Sequence, residues 1–261
     1  MNARQLHVAF DNSLTRDNLA GTGVYASHLL QEIATYPDLD VQVFNGVELG
    51  STRKGFAARA VRSLANRYGN PVRLSALLRK GNFDLMHGPA FIVPLNCPCA
   101  SVVTVYDLTF RLFPEHFEGR WTARVASRLP PILQSVSAVI CISEQTKQDL
   151  LNFYRIAPEK VHVVYCGVDR SRYHPGIPLD PNWARTLGLR DGYILHVGSL
   201  AARKNIPALL RAVAILRSQG KWGSRQVVLA GSKTRGLPGA SEVYETIQRL
   251  GLVDLVILPG H

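Results

Sequence analysis

The residues with the clearest chemical content form the run HVGSLAARKNIPALLRAVAILR at 196–217. An apolar, strand-like run ends in Gly198. A short loop carries Arg203 and Lys204, and a helical pattern opens directly behind them. Gly198 lets the backbone turn tightly and leaves room for a ligand to approach. Asn205 has the side chain of a good N-cap, and Pro207 is tolerated in a first helical turn. A helix N-terminus carries partial positive charge and free N–H groups. Cations are unfavourable there on dipole grounds, so two of them need a reason. Together with the free N–H groups they make a site for a diphosphate. The chemistry this suggests is the handling of a phosphorylated leaving group.

The elements that position this run belong to a repeating pattern. Short β-branched runs alternate with amphipathic helices, the mark of a parallel α/β sheet. Strands are expected at 6–10, 41–44, 84–88, 101–107, 138–143 and 161–165. Ala26, Leu29, Leu30 and Ile33 share one helical face between the first two. A further helix starts at Ser143, a suitable N-cap, with Glu144 in its first turn. Residues 170–192 are rich in Pro, Gly, Arg and Asp and read as a linker. The rhythm then restarts, with strands at 193–198, 227–231 and 254–260 and helices at 206–219 and 241–250. That is βαβαβ, half of a doubly wound sheet. The expected organisation is a first domain over 1–169, a linker over 170–192, and the first half of a second domain over 193–261. No helix follows the last strand, so the second domain is expected to be incomplete.

The chain has 261 residues, of which 46% are hydrophobic, and a net charge of +11. That length can bury two cores. No apolar run reaches the ~18 residues of a membrane span, and polar Asp11 comes too early for a secretory signal. A cytoplasmic protein is expected, either free or peripheral at the inner membrane face. No acidic residue occurs between Glu48 and Asp84, while Arg53, Lys54, Arg59, Arg62, Arg67, Arg73, Arg79 and Lys80 all do. This basic stretch, 53–80, is either a solvated surface or a patch that meets an anionic membrane or polyanionic acceptor. No zinc-finger or RNP-like motif points to nucleic acid. Cys97, Cys99, Cys141 and Cys166 lack paired CxxC spacing and read as buried, reduced thiols.

Gly21 and Gly23, in LAGTGVYASHLL, fall just before the first helix, where phosphates and substrates bind in such sheets. As a lone pair of glycines they signal little. With AGTGVYASHLLQEI, FDLMHGP at 83–89, SVVTVYDLTFRLFPE at 101–115, AVICISEQTKQDL at 138–150, VHVVYCGVD at 161–169 and HVGSLAARKN in the same order, the chain resembles the retaining nucleotide-sugar glycosyltransferases of family four. The resemblance covers nearly the whole chain. It implies the GT-B fold, two facing Rossmann-like domains, here with the second incomplete. It also implies transfer of a hexose, here expected to be mannose-like, from a nucleotide-diphosphate sugar to a glycan or lipid-linked acceptor.

The resemblance gives Arg203 and Lys204 the role of contacting the donor diphosphate, with Gly198 ahead of them. Gly21 and Gly23 match the loop near the donor phosphates and the acceptor. Negative charge builds on the departing diphosphate oxygen, and pre-placed cations and N–H groups stabilise it most in the transition state. No bound metal or cofactor is implied, because the cations are side chains. Tyr106 stands where the family usually has a histidine that contacts the sugar. Asp107 beside it is either a substrate contact or a loop cap. His87 ends a neighbouring strand and either faces the same cleft or is merely packed. The family also carries two glutamates eight positions apart late in its second domain, and no such pair occurs here. The 261 residues are therefore expected to turn over poorly alone. Alternatives are a non-catalytic sugar-nucleotide or anion-binding module and a GT-B nucleotide-sugar epimerase, for which no acid/base carboxylates stand out. A dinucleotide dehydrogenase is disfavoured, since neither half has a complete GxGxxG and its acidic partner.

Overall fold

Burial decides which runs of this chain become strands. The computed structural model describes residues 4–13, 21–44, 70–117, 120–190, 192–231 and 239–260. The chain divides into two compact units, Met1–Gly167 and Val168–His261. In the first, β1 (Leu6–Asp11), β2 (Leu39–Phe44), β3 (Leu85–Gly88), β4 (Ala100–Val105), β5 (Ala138–Cys141) and β6 (Val161–Val163) form one sheet in the order β2-β1-β3-β4-β5-β6. Every pairing is parallel. The central strands are buried on both faces, as parallel sheets require: Val8, Ala9 and Phe10 in β1, and Val103, Thr104 and Val105 in β4. The chain turns to one side of β1 to make β2 and to the other side to make β3. That reversal creates a crevice at the carboxyl ends of β1 and β3.

Helices α1 (Gly21–Ile33), α2 (Asn70–Gly81), α3 (Thr109–Leu112), α4 (Arg120–Ser135) and α5 (Glu144–Phe153) accompany this sheet. α5 starts as the sequence suggests: the Ser143 hydroxyl accepts from Thr146 N at 3.1 Å. α4 contains Pro130 and Pro131 in its interior, where each proline costs about 3 kcal/mol. Val125, Leu129, Ile132 and Leu133 on its inner face are buried with Val103, Val105, Val139 and Cys141 in the core. Each such side chain contributes about 1.5–3 kcal/mol, which together offsets the prolines.

In the second unit, β7 (Tyr193–Val197), β8 (Gln226–Ala230) and β9 (Val256–Gly260) form a parallel three-stranded sheet in the order β7-β8-β9. It has half the strands of the first sheet. α7 (Ile206–Ser218) and α8 (Ala240–Arg249) pack on one face through Leu210, Val213, Val227, Leu229, Val243 and Ile247. Both helices stop in the same way. After α7, Gly220 N bonds Arg217 O and Lys221 N bonds Leu216 O; after α8, Gly251 N bonds Gln248 O and Leu252 N bonds Ile247 O. This double bond pattern needs a left-handed residue, which Gly220 and Gly251 supply. The stretch expected as a linker holds more structure than its composition suggests. It contains α6 (Pro181–Thr186), capped by the Asp180 carboxylate on Asn182 N. It is tied to β8 by Arg190 N donating to Gln226 Oε1 and Gln226 Nε2 donating to Gly188 O.

Candidate functional site

The carboxyl edge of the first sheet gathers several of the expected residues at the crevice. The glycines do not precede the helix: α1 begins at Gly21, so Gly21 and Gly23 lie within its first turn. Gly21 is exposed, with no atom within 4 Å of where a Cβ would stand, and Gly23 is buried. His87, at the end of β3, is buried against Phe10 in an edge-on ring contact, and its Nε2 lies 3.0 Å from Thr104 Oγ1. Burial lowers its pKa to about 4. It is thus a neutral, packed histidine near neutral pH.

Tyr106 follows β4 and is held from several sides. Its hydroxyl donates to the Pro89 carbonyl at 2.5 Å and lies 3.4 Å from the Thr22 carbonyl in α1. Its own carbonyl accepts from Thr146 Oγ1 at 2.8 Å, and its ring meets Tyr25 and Phe91. Burial, and then the neighbouring Tyr25, push its pKa well above the usual tyrosine value. The hydroxyl therefore stays protonated and engaged within the protein, which makes Tyr106 a positioning residue for α1 and the turn after β3. That turn is strained. Phe91 has φ +61, and a Cβ on Gly88 would lie 2.3 Å from the Ile92 carbonyl oxygen. Asp107 is exposed, and its Oδ1 accepts from Thr109 N at 3.0 Å and Thr109 Oγ1 at 2.6 Å. It thus closes the loop into α3 while its other oxygen has no hydrogen bond among the described residues.

In the second unit, Gly198 follows β7 with φ +149, and its N–H donates to the Ala230 carbonyl at 2.8 Å. Arg203 and Lys204 are exposed on a 3-10 turn, Ala202–Lys204, directly ahead of α7. Neither has an acidic partner among the described residues. Asn205 occupies the N-cap position of α7 but makes no capping bond. Its φ of 48° and ψ of 39° lie in the left-handed region, not the extended one from which a cap reaches back. The first turn of α7 is left without a side-chain cap, beside two unpaired cations.

Three residues that sequence reasoning passes over shape this loop. A Cβ on Gly231 would lie 2.1 Å from the Gly198 carbonyl oxygen, and one on Gly239 would lie 2.5 Å from the Ala202 backbone. Both glycines have positive φ, +140 and +87. They brace the loop and the cationic turn from below; the Gly-rich run VVLAGSKTRGLPG is the only signal for them. The third is His196, whose buried Nε2 has no hydrogen-bond partner among the described residues and sits beneath Gly198.

Within the basic stretch 53–80, residues 53–69 lie outside the described residues, while Arg79 and Lys80 are exposed in the last turn of α2. The four thiols are free, but only Cys141 is buried; Cys97 and Cys99 are half-buried with sulfurs 3.6 Å apart, and Cys166 is exposed. Among the described residues, no group of three or more His, Cys, Asp or Glu side chains is placed to hold a metal ion. No described helix is long and apolar enough to cross a membrane.

Residues 21–172, more than half of the chain, match the sequence model of Glycosyltransferase Family 4. The chain belongs to that family. This family-four protein is 25% identical over 154 residues to O-antigen chain mannosyltransferase B of Escherichia coli, a match covering 58% of the chain and 40% of that relative. It is 32% identical over 138 residues to a D-inositol 3-phosphate glycosyltransferase of Rhodococcus opacus, covering 51% of the chain and 30% of the relative. The matched segment thus spans less than half the length of these curated relatives. Among solved structures, this chain is similar to Anabaena HepE in complex with UDP-glucose, at TM-score 0.68 and 18% identity, over 98% of this chain and 69% of that one. It also resembles the sucrose-phosphate synthase of Thermosynechococcus elongatus, at TM-score 0.66 and 15% identity, over 98% and 71%. The architecture is α/β of the GT-B type, with two Rossmann-like parallel sheets of six and three strands among the described residues.

Proposed function

We propose that this glycosyltransferase moves a hexose from a nucleotide-diphosphate sugar to a glycan or lipid-linked acceptor, with retention of configuration. The observation that carries the reading is the unpaired Arg203–Lys204 turn ahead of an uncapped helix, braced by Gly231 and Gly239. Such a cradle stabilises charge on a departing diphosphate, where loss of one donor typically raises the barrier by about 3–4 kcal/mol. The cations supply the charge that a metal supplies elsewhere, so the step needs no bound metal or cofactor. The buried His87, in contact with Thr104, and the Tyr106 hydroxyl, bonded to the Pro89 carbonyl, are assigned to holding the crevice in place.

A GDP-mannose donor is the specific choice, supported by the likeness to a relative named a mannosyltransferase. The basic residues of the stretch 53–80 are assigned to anionic partners, on an acceptor or a membrane leaflet, on their charge alone. The test is to offer GDP-mannose, UDP-glucose and ADP-glucose and to follow nucleoside diphosphate release and the anomeric configuration of the product by NMR. GDP release with the α configuration kept is expected. An inverted product overturns retention, and stronger use of UDP-glucose overturns the donor choice.

A further inference from the structure

A groove of about 530 Å³ opens on the first unit between the outer faces of α4 and the end of α5. Helices in a parallel α/β layer run back from the carboxyl ends of the strands, so the last turns of α4 and α5 lie toward the opposite edge from Gly21 and Tyr106. Arg111 reaches the groove from α3, and none of Gly21, Gly23, His87, Tyr106 or Asp107 lines it. Its walls carry Arg111, Pro130, Pro131, Gln134, Tyr154 and Arg155. The Arg111 guanidinium lies 5.8 Å from the centre of the half-exposed Phe153 ring, which also lines it.

The polar groups here are unusually open. Neither Arg111 nor Arg155 has a carboxylate partner among the described residues, and no acidic side chain lines the groove. The Tyr154 hydroxyl has no hydrogen bond among the described residues, while Gln134 Nε2 donates to the Arg155 carbonyl and keeps its oxygen free. Pro130 has no N–H, so the carbonyl of Ala126, which also lines the groove, loses its helical donor. The groove thus offers two guanidinium donors for an anion, carbonyl acceptors for hydroxyl donors, and proline and phenyl faces for apolar CH groups. A bare phosphate satisfies only the first of these. A flat lipid surface does not enter a concave site. A sugar bearing a carboxylate or phosphate satisfies all three.

We propose that this groove binds an acidic segment of a glycan acceptor, outside the residues of the Gly21–Tyr106 crevice. The assignment of this glycan as acceptor rests on the transferase reading; the binding chemistry does not. The test titrates the full chain by calorimetry with tetragalacturonate, neutral maltotetraose, inorganic phosphate and phosphatidylglycerol vesicles. The acidic tetramer is expected to bind at least about tenfold more tightly than the neutral one, and Arg111→Gln and Arg155→Gln are each expected to weaken it by about tenfold or more. Pro130→Ala, which restores an N–H to the Ala126 carbonyl, is expected to weaken it by a few-fold. Lys204→Ala is expected to leave it unchanged while weakening nucleoside diphosphates. Failure of that last nucleotide effect alone overturns the transferase reading and not the groove. Equal binding of acidic and neutral tetramers overturns the groove proposal. So does absence of binding up to millimolar concentrations, or binding of phosphate or vesicles, but not of tetragalacturonate, through the same arginines.

Discussion

Replacing Gly231 by alanine tests the diphosphate cradle without touching either cation. The added Cβ would sit 2.1 Å from the Gly198 carbonyl oxygen and 2.6 Å from its carbon. Ordinary contact begins near 3.4 Å, so the two loops must part by about 1.3 Å. The φ of +140 at residue 231 adds backbone strain of about 1–3 kcal/mol for any L side chain. Neither strand can yield easily, because Gly198 N bonds Ala230 O and Gly231 N bonds Gly260 O, both at 2.8 Å. The Gly198 carbonyl, on the far side of the first bond, is the part that must move, and with it the loop leading on to Arg203 and Lys204. Misplacing a binding group by about 1 Å can cost about 10²-fold. Gly231→Ala should therefore weaken nucleoside diphosphate binding between about tenfold and a hundredfold, read by calorimetry on protein shown to be folded by circular dichroism. Gly220→Ala is the control. Its φ is +68 and no atom lies within 4 Å of the new methyl, so it carries strain alone and should leave affinity unchanged. If folded Gly231→Ala binds as tightly as Gly220→Ala, the Gly198 loop is not the cradle.

His87 should make stability depend on pH. Its folded pKa of about 4 lies below the ordinary 6.5, so the unfolded chain binds more protons in between. Its contribution is full above pH 6.5 and is lost as pH falls toward 4, amounting to about 2 kcal/mol between pH 7.5 and 5. Urea unfolding should show His87→Gln flattening that dependence, and an unchanged slope would count against the burial account. Tyr106→Phe strands the Pro89 carbonyl and should destabilise the first unit by about 1–2 kcal/mol in the same assay. Ser143→Ala removes the α5 cap and should lower stability by about 1 kcal/mol with no change in nucleotide affinity.

Local signals were readable where one residue type has one use. Ser143 is followed by a helix because a serine before an amphipathic run with Glu144 is a cap, and it caps. Gly220 and Gly251 end their helices as expected from glycine after a periodic segment. Each of the expected strands has a counterpart, with ends shifted by up to two residues. Asn205 shows the limit of this reasoning: the residue type fits a cap, but the left-handed backbone removes the capping bond. α4 escapes a sequence reading because Pro130 and Pro131 break the local pattern, while tertiary burial of Leu129, Ile132 and Leu133 restores the helix. At the site, the chemistry of single residues was legible and their partners were not. The bonds from Tyr106 to Pro89 and from His87 to Thr104 each join residues 17 apart. The bracing of Gly198 by Gly231 exists only once two strands lie side by side.

The central claim is that Arg203 and Lys204 bind the diphosphate of a sugar donor. Calorimetric titration of GDP, UDP and ADP into the wild-type chain and into Lys204→Ala tests it most directly. Both side chains are exposed and have no acidic partner among the described residues, so their removal should leave the fold intact. The account predicts that Lys204→Ala weakens every one of the three nucleotides by about tenfold or more, since the shared diphosphate is what it meets. Unchanged affinity for all three, in a folded variant, would contradict it.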